Sequence, residues 1–194
     1  MAHYGAVSRP RVILASASPR RRELLGRLIV DFQVVPADVD EDPLPGESPE
    51  TTAQRLAHQK WHKVSATYPG ALVIAGDTVV AIGERQLAKP RDEEEAGTML
   101  RALSGRAHRV ITGLAVGPPG RTICKVVSTT VQFRRLDEME IADYVATGEP
   151  MDKAGAYAIQ GGAEGFVVGI EGSYTNVVGL PLEALEEVLA ELTV

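Results

Sequence analysis

Residues 12–15 form an unbroken apolar run that stops at Ser16-Ala17-Ser18-Pro19, a pattern that predicts a short buried strand, a tight turn and a helix. Ser18 suits the N-cap, and Pro19 suits the first helical position, where a missing N–H costs no hydrogen bond. That helix is predicted to run through Leu28, and Phe32-Gln33-Val34-Val35 gives a second short strand. An acidic, proline-rich stretch at 38–49 has no periodicity and reads as a loop. Ser48-Pro49-Glu50 repeats the cap-and-proline signal, after which Ala53, Leu56, Ala57, Trp61 and Val64 recur at helical spacing to about residue 66. Residues 71–75 predict another buried strand, interrupted at Gly76-Asp77-Thr78 and resumed at 79–82 after a bend or bulge.

The second half of the chain changes character. A helix is predicted from Asp92 to Leu103, with Glu93, Glu94 and Glu95 in its first turn and Gly105 ending it. Residues 110–116 and 126–134 read as antiparallel strands joined through Gly117-Pro118-Pro119-Gly120. Asp137 and Glu140 have the spacing of a capping box for a helix to about Thr147, with Gly148 as terminator. The glycine-rich stretch 149–179 predicts loops with short strands at 166–170 and 176–178, and 181–192 closes the chain as an amphipathic helix. Strands alternate with helices early and pair as hairpins late, so the expected class is α/β with a mixed central sheet flanked by helices.

Composition narrows the function. The 194 residues fit one domain, 1–194, with an irregular lead at 1–11. Twenty Lys and Arg against 26 Asp and Glu leave a net charge of −6, which argues against a nucleic-acid partner, because such affinity comes largely from surplus cations neutralising phosphates. Cys124 has no partner for a disulfide, so a reducing compartment, the cytoplasm, is expected. No apolar run approaches the length of a membrane span and residues 1–11 carry no signal core, so no membrane partner is expected.

Arg20, Arg21 and Arg22 sit in the first turn of a helix whose N-terminus already carries partial positive charge, an arrangement that a bound anion would offset. A solvated basic turn with one arginine paired to an acid is the plainer alternative. Lys60 continues the apolar stripe of its helix and so points inward, as a buried cation or as a lysine snorkelling at the stripe's edge. Lys89 is held extended by Pro90 and is either a phosphate ligand or an ordinary surface lysine. Asp77, at the edge of an apolar strand, is placed for a catalytic or metal-binding role or for capping a turn, and Asp38, Asp40, Glu41 and Asp42 offer hard oxygen ligands for magnesium or manganese or form a solvated loop. His58 and His62 have helical metal-pair spacing, but Gln59 stands where a metalloprotease needs glutamate and no third ligand follows. From the residues alone, the set describes acid-plus-metal chemistry on a phosphate ester or anhydride.

Leu14-Ala15-Ser16-Ala17-Ser18-Pro19-Arg20-Arg21-Arg22-Glu23-Leu24-Leu25 resembles the N-terminal signature of the Maf family, nucleoside triphosphate pyrophosphatases also called septum formation inhibitors. Gly76-Asp77-Thr78-Val79-Val80, Lys89-Pro90-Arg91-Asp92, residues 99–105, residues 152–161 and Gly172-Ser173-Tyr174 with 177–181 resemble its later blocks, in order. The resemblance implies two lobes with a substrate cleft between them, as in ITPase-like folds, and cleavage of a nucleoside triphosphate between its α and β phosphates with a divalent cation. It implies Asp77 as proton acceptor, Arg20, Thr78 and Gln160 in substrate choice, and Ser16, Arg20, Arg21, Lys60 and Lys89 on the phosphates. It also implies Asp40 with Asp77 at the metal, a preference for dTTP and UTP, possible action on modified pyrimidine triphosphates, and a homodimer. The family's older name suggests a rival reading, a nucleotide-binding regulator of cell division acting through a protein partner. Gly76, Asp40 and Ala158 depart from the usual alanine, glutamate and glycine, and Asp40 is one methylene shorter than the glutamate common there.

Overall fold

The computed structural model describes residues 10–193, so most of the expected irregular lead lies outside the described residues. The elements are β1 Val12–Leu14, α1 Pro19–Gly26, β2 Gln33–Val34, α2 Pro49–Thr67, β3 Leu72–Ile82, β4 Arg85–Leu87, α3 Glu93–Leu103, β5 Ala107–Gly117, β6 Ile123–Phe133, α4 Glu138–Ala146, β7 Val167–Glu171, α5 Tyr174–Val178 and α6 Leu182–Thr193. Three short 3-10 turns lie between α4 and β7.

The sheet is mixed and seven-stranded, in the order β2-β1-β3-β5-β6-β7 with β4 paired on β3. β1 is parallel to β2 and β3, and the remaining pairings are antiparallel. Both serine caps act as the sequence predicts, with the Ser18 and Ser48 side chains accepting from the Arg21 and Thr51 N–H groups. The Asp137–Glu140 capping box is complete.

Three expectations are corrected. β3 carries no bend or bulge at Gly76-Asp77-Thr78, because its ladder to β5 is unbroken from Val73 to Ala81 and satisfies the backbone through the polar residues. Residues 176–178 belong to α5 rather than to a strand, since Ser173 caps the Asn176 N–H and starts a helical turn. α1 stops at Gly26, short of Leu28, and β4 was not expected at all.

Strand alternation sorts the core into two layers. Leu14, Ile74, Val80, Val110 and Leu114 face α1, α3, α4 and α6, whose Leu24, Leu100, Ile141 and Leu185 complete the larger core. Ile13, Ala15, Val73, Ala75 and Ala115 face Ala57, Trp61 and Val64 of α2 on the opposite side. The small residues on that side let α2 lie close to the sheet, most of all at Gly113, where an added Cβ would stand 2.2 Å from the Ala53 carbonyl oxygen. Gly113 is the register partner of Asp77.

Candidate active site

The alternation that sorts the core also separates two neighbouring polar residues of β3. Asp77 points to the α2 side, where Lys60 of α2 meets it, and Thr78 points to the α1 side. Both open into a cleft of about 710 Å³ that runs from the turn between β1 and α1 to the segment 152–159.

On the α2 side the groups form one connected cluster. Lys60 Nζ donates to Asp77 Oδ1 at 2.6 Å and to Glu41 Oε1 at 2.5 Å, and Lys89 Nζ donates to Glu41 Oε2 at 2.9 Å. Lys60 and Asp77 are only 6% and 7% exposed, so the ammonium is an inward cation with two carboxylate partners and not a snorkelling lysine. Burial raises the affinity of Glu41 for its proton, but hydrogen bonds from Lys60 and Lys89 outweigh it and hold the carboxyl at about 2.

A depressed carboxyl stabilises the fold where it is ionised in both states and ceases to do so as pH falls through the folded value. The advantage of wild type over Glu41→Gln in denaturant titrations is therefore expected to be full above pH 4.5 and to vanish as pH falls toward 2. An advantage that persists at the acid end would contradict the pairing. Half of this carboxylate faces solvent, so added salt should shrink the difference as well.

On the α1 side Arg21 acts as a clamp. Its Nε donates to the Gly179 carbonyl at 2.7 Å, one terminal nitrogen to Thr78 Oγ1 at 2.9 Å and the other to Ser16 Oγ at 3.3 Å. Burial pushes its guanidinium below the ordinary value, against the pull of Asp77. Thr78 Oγ1 also lies 2.9 Å from Thr112 Oγ1, which in turn donates to the Asn176 carbonyl. The basic first turn is thus divided: Arg21 ties α1 to β3 and to the end of α5, Arg20 lines the cleft, and Arg22 is exposed.

Ser16, Arg20, Arg21, Lys60, Asp77, Thr78 and Lys89 are brought together around this cleft, whereas Asp40 and Gln160 are exposed and are not among its lining residues. Asp40 Oδ1 accepts the Asp42 N–H at 3.0 Å, and it is Glu41 that turns into the cluster. Gln160 follows Tyr157, Ala158 and Ile159, which form part of an apolar wall with Val80, Val177 and Val178. Asp152 and Lys153, which open the signature block 152–161, also line the cleft. Lys153 is a cation that no helical or strand period would have singled out.

A divalent cation fits this donor set. Two hard carboxylates, Asp77 and Glu41, converge on one nitrogen, and magnesium commonly takes one or two protein carboxylates and leaves its other positions to water and phosphate. Among the described residues no group of three or more His, Cys, Asp or Glu could hold a metal ion, so such an ion would take its remaining ligands from water or phosphate oxygens. His58 and His62 are exposed on α2 with ring centroids 6.4 Å apart and gain no third ligand. Cys124 is half-buried beside the α2-side core, and burial pushes its thiol up, which favours the unreactive protonated form.

An open mixed sheet with a carboxylate and inward cations at one cleft defines a site for a polyanionic ligand. The chain belongs to the family of Maf-like proteins, whose model matches residues 11–192. It is 55% identical to the dTTP/UTP pyrophosphatase of Myxococcus xanthus, over 88% of this chain and 87% of the relative. It is also 52% identical to the protein of that name from Geobacter sulfurreducens, over 91% of this chain and 94% of the relative. A more distant structural likeness, with TM-score 0.47 and 16% identity over 63% of this chain and 71% of the other, is to the Ham1 protein of Staphylococcus aureus. No helix among the described residues is long and apolar enough to cross a membrane.

Proposed function

We propose that this chain hydrolyses dTTP and UTP at the α-β phosphoanhydride, releasing the nucleoside monophosphate and pyrophosphate. The observation that carries the reading is the connected Asp77–Lys60–Glu41–Lys89 cluster, buried at Asp77 and Lys60 and open to solvent at Glu41 and Lys89, on a cleft also lined by Arg20 and Ser16. Relatives at about this level of identity over most of their length carry the same name.

Asp77 has one oxygen held by Lys60, which fixes the carboxylate's orientation and leaves the other oxygen to take a proton from an attacking water. Lys89, Lys60 and Arg20 supply positive charge for the pyrophosphate leaving group, and their placement in a partly desolvated cleft strengthens each interaction. A divalent cation, magnesium or manganese, bound through Asp77 and Glu41 with Asp40 beside them in the loop, would neutralise charge on the bridging phosphates. The apolar wall of Tyr157, Ala158, Ile159, Val177 and Val178 suits a flat nucleobase, and Thr78, Arg20 and Gln160 would discriminate its edge and sugar. A cytoplasmic location suits a chain whose single thiol has no disulfide partner, and sedimentation of the purified chain tests the homodimer.

The test incubates purified protein with canonical and modified nucleoside triphosphates and magnesium or manganese, and identifies products by chromatography. Pyrophosphate with dTMP or UMP is expected. Orthophosphate with a diphosphate product would refute the site of cleavage, and turnover confined to purines would refute the substrate.

A further inference from the structure

Two residues that never reach the cleft grip the back of its apolar wall. Tyr144 of α4 is 4% exposed and Glu149 follows α4 by a few residues; neither is among the cleft's lining residues. The Tyr144 hydroxyl accepts the Ala158 N–H at 3.2 Å and donates to Glu149 Oε1 at 3.0 Å, while Glu149 Oε2 accepts the Gly162 N–H at 3.2 Å. One relay therefore fastens both ends of the segment 158–162, whose first part faces the cleft and whose middle is Gln160. The contact is close: a Cβ on Gly162 would stand 2.9 Å from the Tyr144 ring, so only glycine lets the loop settle there. The Tyr144 ring is held in turn by Phe166, edge to face at 5.3 Å.

The preceding residue is fastened separately. Tyr157 places its hydroxyl 2.8 Å from His108 Nε2, in the core beneath the sheet. Tyr157 is thus held through the core, and within 158–162 Ile159 packs into the same core while the backbone N–H groups of Ala158 and Gly162 are held by Tyr144 and Glu149. A loop that carries a backbone wall and a polar side chain selects a ligand only as sharply as its backbone is fixed, since small displacements cost binding without disabling distant groups.

We infer that Tyr144 and Glu149 are positioning residues for nucleobase selection, setting the 158–162 backbone from outside the cleft. This rests on the pyrimidine triphosphate reading above. Tyr144→Phe removes the hydroxyl and both of its hydrogen bonds, and keeps the ring. Glu149→Gln keeps the shape and loses an acceptor toward either Tyr144 or Gly162. Because both act through one relay, their effects should not add.

The experiment compares steady-state hydrolysis of UTP and CTP by wild type, Tyr144→Phe, Glu149→Gln and the double variant, with amide hydrogen exchange over 158–162. Each single variant is expected to raise KM for UTP by roughly 3- to 10-fold at nearly constant kcat and to narrow the UTP preference over CTP by a similar factor. The double variant should be no worse than Tyr144→Phe, and exchange should quicken at Ala158 and Gly162. If Tyr144→Phe fails to fold, Glu149→Gln, on a partly exposed residue, carries the same expectations. Equal loss toward both nucleotides with a lowered thermal midpoint would mean a merely structural role and overturn the inference. Unchanged KM and preference would overturn it too. A wild type that turns over no pyrimidine triphosphate would instead bring down the substrate reading, and this inference with it.

Discussion

Asp77→Asn is expected to lower kcat by about 10²- to 10⁴-fold, the range over which a positioned general base contributes. The asparagine keeps the carboxylate's shape and loses both its proton affinity and its charge toward a cation. Folding should survive the change, because Lys60 retains its second partner, Glu41 Oε1 at 2.5 Å, and is not left as an unpaired buried ammonium. Pyrophosphate release by the purified variant, with circular dichroism and a thermal melt to confirm the fold, measures the effect. Turnover equal to wild type in a folded variant would exclude Asp77 as the proton acceptor.

Gly113→Ala is expected to have the largest effect on stability, and it reaches the site as well. An alanine Cβ there would meet the Ala53 carbonyl oxygen at 2.2 Å, its carbon at 2.5 Å and the Gln54 nitrogen at 2.8 Å. All three are backbone atoms in the second turn of α2, so no side chain can rotate away and the helix must shift. Overpacking of this kind costs about 3 kcal/mol or more, and for a domain of this size the thermal midpoint should fall by roughly 6–12 °C. Gly113 faces Asp77 across the ladder, and α2 carries Lys60, so the same shift would lengthen the 2.6 Å Lys60–Asp77 contact. Displacement on the order of 1 Å at a reacting group can cost about 100-fold in rate. Gly165→Ala is the control, since its Cβ would meet nothing within 4 Å, and should stay within roughly 0.5 kcal/mol of wild type. A Gly113→Ala protein as stable and active as that control would mean that α2 has room to spare.

The parts of the fold that were legible in the sequence are those fixed by local chemistry. Ser18-Pro19 and Ser48-Pro49 announce α1 and α2 because a cap and a proline act within one turn of chain. What the sequence hid depends on partners far along the chain. Gly76-Asp77-Thr78 looks like a break, but β5 supplies a hydrogen-bonding partner at every step. Asn176-Val177-Val178 has a strand's composition, but the Asn176 side chain donates to Val110 O and Thr129 Oγ1 and draws a helical turn against β5 and β6. β4 is three residues long, with Arg and Gln in two of them, so it carries no pattern of its own.

The candidate site divides along the same line. Lys60 was readable because its place on the stripe of α2 implies direction, and Asp77 because a carboxylate interrupting an apolar segment stands out, although it lies in the middle of β3 and not at a strand edge. Asp40 and Glu41 are adjacent acids in a loop without period, and only tertiary placement turns Glu41 toward Lys60 and Lys89. Tyr144 and Glu149 looked like ordinary helix and loop residues, since hydrogen bonds made behind a wall leave no periodic trace.

The opposite facing of Asp77 and Thr78 makes β3 a partition between two mechanically separate offices. A substitution at 78 is felt by Arg21, Thr112 and the end of α5, and one at 77 by Lys60 and the loop of Glu41. Among the described residues the two sets share a peptide bond and no hydrogen-bonding side chain, and they meet only through the charge of Arg21 near Asp77 and Glu41. A substitution at 78 can therefore alter what the cleft accepts on one face of the strand without breaking a hydrogen bond of the acid on the other.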